Sequence, residues 1–268
     1  MNFSTLCETL LPQPVQDEVN QINQTYRHPA MEQYWRRLFS PKQWDKGIQL
    51  LTQQFGEDPK GLKMLTCQLH CALNTYRQYR QKGIPEEVFW DTMKFIPRFL
   101  EWQNTYYGSY TFPCGWWLPR QLSLCEFRLG QLEFERVKTE NGPAVSLHIP
   151  SDAKLEPQLL RDSVRQMRRL FLHQFPDFYQ APVICDSWML SPALQELLPE
   201  DSRILEFADC FEVQSVDWDS AAVLNWVFPG PKVPYEQLAE TTSLQRSMKQ
   251  YLLEGKKVGW ARGVLKGF

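Results

Sequence analysis

A small set of side chains in this chain could do chemistry. His148 ends an apolar run, 144–149, out of step with Val145, Leu147 and Ile149, so strand alternation turns its ring away from the face they bury. An imidazole that titrates near neutral pH can serve there as a base or as a contact to an acceptor; its competing role is a structural histidine bonded to a neighbouring loop. Asp186 and Ser187 close the next strand pattern, where open α/β sheets tend to place ligand contacts. Their competing role is a cap or turn bond ahead of Ser191-Pro192, itself a helix start. Glu133 and Glu135 share one strand face, and a buried pair of carboxylates can accept a proton; an edge strand, the expectation here, leaves both in solvent. Cys67, His70 and Cys71 resemble metal ligands, but no second Cys or His pair completes a set of four, so buried thiols and no metal are expected. Tyr107, Trp116 and Trp117, with Trp102, Tyr106 and Tyr110, either line a ligand cleft or join two halves of the molecule.

The elements that must carry these groups change character along the chain. In the first hundred residues apolar positions recur at steps of three and four, as in Leu62, Leu65, Leu69, Leu73 and Tyr76, the mark of packed helices. Helices are predicted at 3–11, 14–25, 29–39 and 41–55, the last two opening with a proline after His28 and Ser40. The 62–82 helix stops at Lys82-Gly83, and Pro85-Glu86-Glu87 starts the next, which Pro97 should kink. Around residue 104 aromatics mix with Gly108, Pro113, Gly115 and Pro119, which break regular structure. Strand patterns follow: 121–137 around Gly130, then 144–149 after the turn signal Asn141-Gly142. A helix at 157–175, a strand at 183–188, a short helix at 192–198, a strand at 211–216, a helix at 243–254 and a strand at 256–265 complete the chain. The prediction is an all-helical N-terminal domain, 1–110, followed by a mixed-sheet α/β domain, 111–268.

Composition narrows the partners. The 268 residues carry a net charge of −2 with acidic and basic side chains interleaved, so neither a nucleic acid nor an anionic membrane is an expected partner. Seven scattered cysteines without a secretory leader fit reduced thiols in the cytoplasm. No apolar run is long enough to cross a bilayer.

Four stretches have a more specific wording: Phe127-Arg128-Leu129-Gly130-Gln131-Leu132-Glu133-Phe134-Glu135, His148-Ile149-Pro150-Ser151, Cys185-Asp186-Ser187-Trp188-Met189-Leu190-Ser191-Pro192 and Thr242-Ser243-Leu244-Gln245-Arg246. With the order of elements, the chain resembles bacterial acyltransferase-domain proteins that have a helical N-terminal acyltransferase domain and a GNAT-like C-terminal domain. The resemblance implies transfer of an acyl group from acyl-CoA, as cosubstrate, to a small-molecule or peptide amine, with no metal. It implies that backbone groups around Leu147 and Ile149 hold the thioester carbonyl, that the turn Ser151, Asp152, Ala153, Lys154 and Leu155 seats the pyrophosphate at the next helix start, and that His148 or Asp186 moves the proton. Arg161, Arg165, Arg168 and Arg169 fall along one flank of that helix; Arg161 offers a planar fork for phosphate, and a solvated helix face is the competing reading. Tyr107, Trp116, Trp117 and Ser187 would line the substrate cleft. GNAT pyrophosphate loops carry a Gln/Arg-x-x-Gly-x-Gly/Ala pattern, whereas this turn has no glycine. A non-catalytic CoA-binding or sensing module and a protein-interaction scaffold are the alternatives.

Overall fold

A computed structural model describes residues 1–25 and 31–266, so the helix start expected at Pro29 lies outside the described residues. The chain forms two compact units, Met1–Arg128 and Leu129–Phe268.

The first unit is helical: α1 (Phe3–Leu10), α2 (Gln13–Thr25), α3 (Met31–Trp35), α4 (Trp44–Phe55), α5 (Leu62–Lys82), α6 (Glu86–Met93), α7 (Phe95–Tyr107) and α8 (Pro119–Leu122). Both ends of α5 have a local cause. The α5 start has Gly61 at its N-cap, and the missing cap is supplied from upstream: Asp58 accepts the N–H groups of Lys63 and Met64 at 3.1 and 3.0 Å. Its end is Gly83 at φ 66, after which Ile84 N–H returns to the Tyr79 carbonyl at 2.9 Å. Leu65, Leu69, Cys71 and Ala72 on α5 are fully buried. The kink expected at Pro97 is instead a break at Lys94, and Pro97 sits in the first turn of α7, where a missing N–H costs no intrahelical bond. Cys67 and Cys71 are buried thiols, and burial, then Cys67, pushes the Cys71 thiol up. His70 bonds Asn23 at 2.7 Å and stacks on Phe3.

In the second unit α9 (Pro157–Gln174), α10 (Pro176–Tyr179), α11 (Leu194–Leu197), α12 (Arg203–Ala208), α13 (Leu224–Val227) and α14 (Ser243–Leu253) alternate with strands. The strands are β1 (Glu126–Leu129), β2 (Leu132–Thr139), β3 (Gly142–His148), β4 (Val183–Ser187), β5 (Phe211–Asp217) and β6 (Trp260–Leu265), and the unit division falls within β1. They form one mixed sheet in the order β1-β2-β3-β4-β6-β5. A helical region followed by a mixed-sheet α/β region is thus the architecture read from the sequence. That reading lacked α10, α12 and α13, and the last strand starts at Trp260 rather than at 256.

Register assigns the two sheet faces. Phe134 lies opposite Leu147, Arg136 opposite Val145, and Val145 beside Val183, so these residues and Cys185 share one face. Apart from Arg136 its central residues are apolar, and it carries α9: Leu160, Val164, Met167 and Phe171 are buried, each contributing roughly 1.5–3 kcal/mol, and the Arg136 guanidinium lies 3.7 Å from the Phe175 ring centroid at the α9 end. The other face carries Glu133, Glu135, Ser146, His148, Ile184, Asp186 and Arg262. A separate core of Trp188, Leu194, Val223, Val227, Met248 and Leu252 gathers α11, α13 and α14. The α14 start is a capping box of Thr242 and Gln245, and the Gln245 amide also donates to the Val227 carbonyl at 2.8 Å.

Glu133 and Glu135 overturn the expectation of a solvated edge. β2 is flanked on both sides in the sheet, and the two residues as a whole are only 5% and 7% exposed.

The β1–β2 turn locks α9 in place. Gly130 has φ 64, and a Cβ there would stand 2.5 Å from the Ser163 hydroxyl oxygen, which accepts the Gln131 N–H at 2.8 Å. Gly130→Ala is expected to cost about 2 kcal/mol or more of unfolding free energy, left-handed strain plus the clash. Gly255→Ala, with φ 78 and open space around it, should cost about 1 kcal/mol. Chemical denaturation of the two variants checks the difference.

Candidate functional site

The sheet opens between β3 and β4. These parallel strands pair at two positions only, Val145 with Val183 and Ser146 with Ile184. Val145 donates its N–H to the Pro182 carbonyl at 2.9 Å, so alternation turns the backbone groups of Leu147 and Ile149 towards β4 as well. Ile184 and, by the same alternation, Asp186 turn theirs towards β3. Past Ser146–Ile184 the ladder ends, while β4 stays paired to β6 through Ser187–Ala261. The Leu147 carbonyl, the Ile149 N–H and the Asp186 N–H therefore lie on facing edges beyond the last rung. Such an opening can take a chain with its own amide groups and offer an N–H to a carbonyl oxygen.

Two polar pairs flank it on the polar face. His148 Nε2 meets Glu135 Oε2 at 3.1 Å, with the histidine side chain 26% exposed and the glutamate 10%. Asp186 faces Arg262 across the β4–β6 ladder, and both its oxygens accept from the guanidinium, at 2.7 and 2.9 Å. That bidentate pairing pushes the Arg262 guanidinium up, through its hydrogen bond and then the Asp186 charge. His148 thus leaves the apolar face, as its parity requires, and meets a carboxylate on the neighbouring strand β2.

The turn after β3 is knit to the rest of the unit. Ala153 N–H donates to the Pro150 carbonyl, and Lys154 N–H to Gln131 Oε1, both at 2.9 Å. Ser151, Asp152 and Lys154 are exposed, and Ala153 and Leu155 are half-buried. α9 then starts with Pro157 after Glu156, and no side chain caps it, so its first N–H groups and positive dipole end are available to an anion. These donors fit a phosphate better than the turn itself, where two N–H groups are engaged. Arg161 is exposed and bonds Gln158 at 3.0 Å. Arg165 pairs with Asp162. Arg168 departs from that flank: it turns inward to the carbonyls of Tyr179 and Ala181 at 2.6 and 3.0 Å, and burial pulls its guanidinium down.

Ser187 is buried and accepts the Met189 N–H at 3.1 Å as the cap of a short helical turn. In the first unit Tyr107 is exposed and packs on Trp102, and Trp116 is exposed and packs edge-on against Trp117. The Arg120 guanidinium lies 4.0 Å from the Trp117 ring centroid, and the Trp117 indole donates to Glu126 at 3.1 Å. Trp116 also rims a cleft of about 310 Å³ with Ile48, Phe55, Met64 and Phe112.

Sequence reasoning missed Glu135 as a histidine partner, Arg262 as the partner of Asp186 and Gln131 as the tether of the turn. The first had a signal, since Glu135 is two residues from the position opposite His148 once the Asn141-Gly142 hairpin is set. Arg262 had none, being 76 residues from Asp186.

A family model described as GNAT-like C-terminal domain matches residues 127–265, and one described as N-acyltransferase N-terminal domain matches 1–124. A search of curated proteins found no match. Among solved structures, an acyltransferase in complex with decanoyl-CoA and teicoplanin aligns over 99% of both chains, with 21% identity and a TM-score of 0.72. An acyltransferase in complex with CoA and 10C-teicoplanin aligns over 99% of both chains, with 21% identity and a TM-score of 0.73. At that identity the likeness is one of fold.

Cys185 sits on β4 with no exposure, and burial, then the Asp186 charge, pushes its thiol well above the ordinary range. A protonated, enclosed thiol is neither nucleophile nor alkylation target. Iodoacetamide at pH 8 should leave Cys185 unlabelled in the native protein and label it after denaturation, as peptide mass spectrometry would record.

Proposed function

The chain belongs to the GNAT-like C-terminal domain family, and from that premise we propose that it is an acyl-CoA-dependent N-acyltransferase with an amine acceptor. The observation that carries this reading is the β3–β4 ladder that stops after two rungs, beside a helix start without a side-chain cap. The solved acyltransferase of the same fold that holds decanoyl-CoA supports a thioester donor.

In this reading the pantetheine arm lies in the opening, where the Leu147 carbonyl and the Asp186 N–H bond its amides. The Ile149 N–H holds the thioester carbonyl. The start of α9, with Arg161, meets the pyrophosphate. The amine nitrogen attacks the carbonyl carbon and the C–S bond breaks; one N–H proton passes to His148, and the CoA thiolate leaves and takes up a proton. Attack is direct in this reading, and the enclosed, protonated Cys185 beside the opening does not carry the acyl group. Asp186, with both oxygens on Arg262, orients β4 rather than moving the proton.

Thermal unfolding and thiol release, followed with acetyl-CoA and longer acyl-CoA thioesters across an amine panel, test the reading. Ligand at a hundred times its Kd should stabilise the protein by about 2.7 kcal/mol. His148→Ala should lower kcat by about 10²–10⁴-fold, and Asp186→Asn by less. Absence of a shift with every thioester at millimolar concentration contradicts CoA binding. A shift without thiol release favours a CoA-binding module, a second reading supported by the engaged N–H groups of Ala153 and Lys154 in a glycine-free turn.

A further inference from the structure

We propose that Glu135 is a positioning residue of the reaction, acting on substrate only through His148; the inference rests on the acyl-transfer reading above. Glu135 lies opposite Ser146 in the β2–β3 register, so its carboxylate reaches diagonally along the polar face to His148. The contact is Nε2 to Oε2, 3.1 Å. A glutamate that accepts from Nε2 fixes the tautomer with hydrogen on that nitrogen and makes Nδ1 the basic one. The exposure gradient runs in the same direction: the carboxylate is 10% exposed and the imidazole 26%, so the histidine is the member of the pair that substrate can meet.

The two members then have different tasks. When the amine attacks, its proton moves to Nδ1 and the ring becomes imidazolium. Glu135 holds the Nε2 proton throughout as an acceptor, without taking it, and its negative charge stabilises the cation that forms. In a setting poorer in water than bulk that attraction is strong. Backbone pairing of β2 with β3 holds the geometry, since Phe134 faces Leu147 on the apolar side while Glu135 and His148 share the polar side. On that polar face Glu133 lies opposite His148, Asp186 stands on β4, and Glu212 and Asp217 stand on β5.

The test compares kcat and the acyl-CoA KM for wild type, Glu135→Gln, Glu135→Asp, His148→Ala and the double variant His148→Ala/Glu135→Gln. Glutamine keeps the size of the side chain, and an acyl-CoA thermal shift equal to that of wild type reports an intact fold. Glu135→Gln should lower kcat by about 10- to 100-fold with KM within about twofold. Glu135→Asp should recover part of the loss. In the His148→Ala background Glu135→Gln should cost nothing further, the non-additivity expected of groups that act as a unit. Wild-type kcat in Glu135→Gln, or an equal loss in both backgrounds, overturns this proposal while leaving acyl transfer standing. A wild-type protein without turnover overturns both.

Discussion

The unfinished parallel ladder between β3 and β4 is the constraint on which the rest of the second unit depends. Both strands are fixed where they begin: β3 by its antiparallel hairpin with β2, β4 by Arg168, which grips the carbonyls of Tyr179 and Ala181 just upstream. At their far ends they part, because β4 follows β6 to Ser187 instead of following β3. A complete ladder would consume every backbone group along both edges. Stopping after two rungs leaves polar groups of Leu147, Ile149 and Asp186 facing across an opening. Buried backbone groups need partners, and a ligand rich in amides and carbonyls is a suitable one.

The sheet divides its two faces between stability and chemistry. On one face Val145, Leu147, Val183 and Cys185 pack beneath α9, and the burial that stabilises the fold also keeps the Cys185 thiol protonated. On the other, carboxylates alternate with cationic or titratable partners, Glu135 with His148 and Asp186 with Arg262. A buried carboxylate without a partner costs several kcal/mol, so Glu135 needs one where it stands, whereas Asp186, its side chain 36% exposed, keeps water as well as Arg262.

Much of the architecture was legible because it follows from period and punctuation. The α5 and α9 stripes repeat at helical spacing, Gly83 stops α5 where expected, and Asn141-Gly142 marks the hairpin that sets the β2–β3 register. The strand alternation of 144–149 also gave the side on which His148 stands. Burial of Glu133 and Glu135 was not legible, since alternation reads alike on an edge strand and an inner one, and only sheet order separates them. Pro97 misled for a related reason: a proline looks the same in the first turn of a helix as in its interior, and the break at Lys94 has no signal of its own. The Asp186–Arg262 pair depends on β6 returning beside β4, a long-range register that no local pattern encodes.

In the proposed reaction the β3–β4 opening and the α9 start receive an acyl-CoA. Amide hydrogen exchange, resolved by residue with and without a non-hydrolysable acyl-CoA analogue, reads that binding site. Slowed exchange is expected at Ile149, at Asp186 and at the first N–H groups of α9, Gln158 and Leu159, with little change along β5. Bound analogue with unchanged exchange at Ile149 and Asp186, or protection confined to other elements, would contradict it.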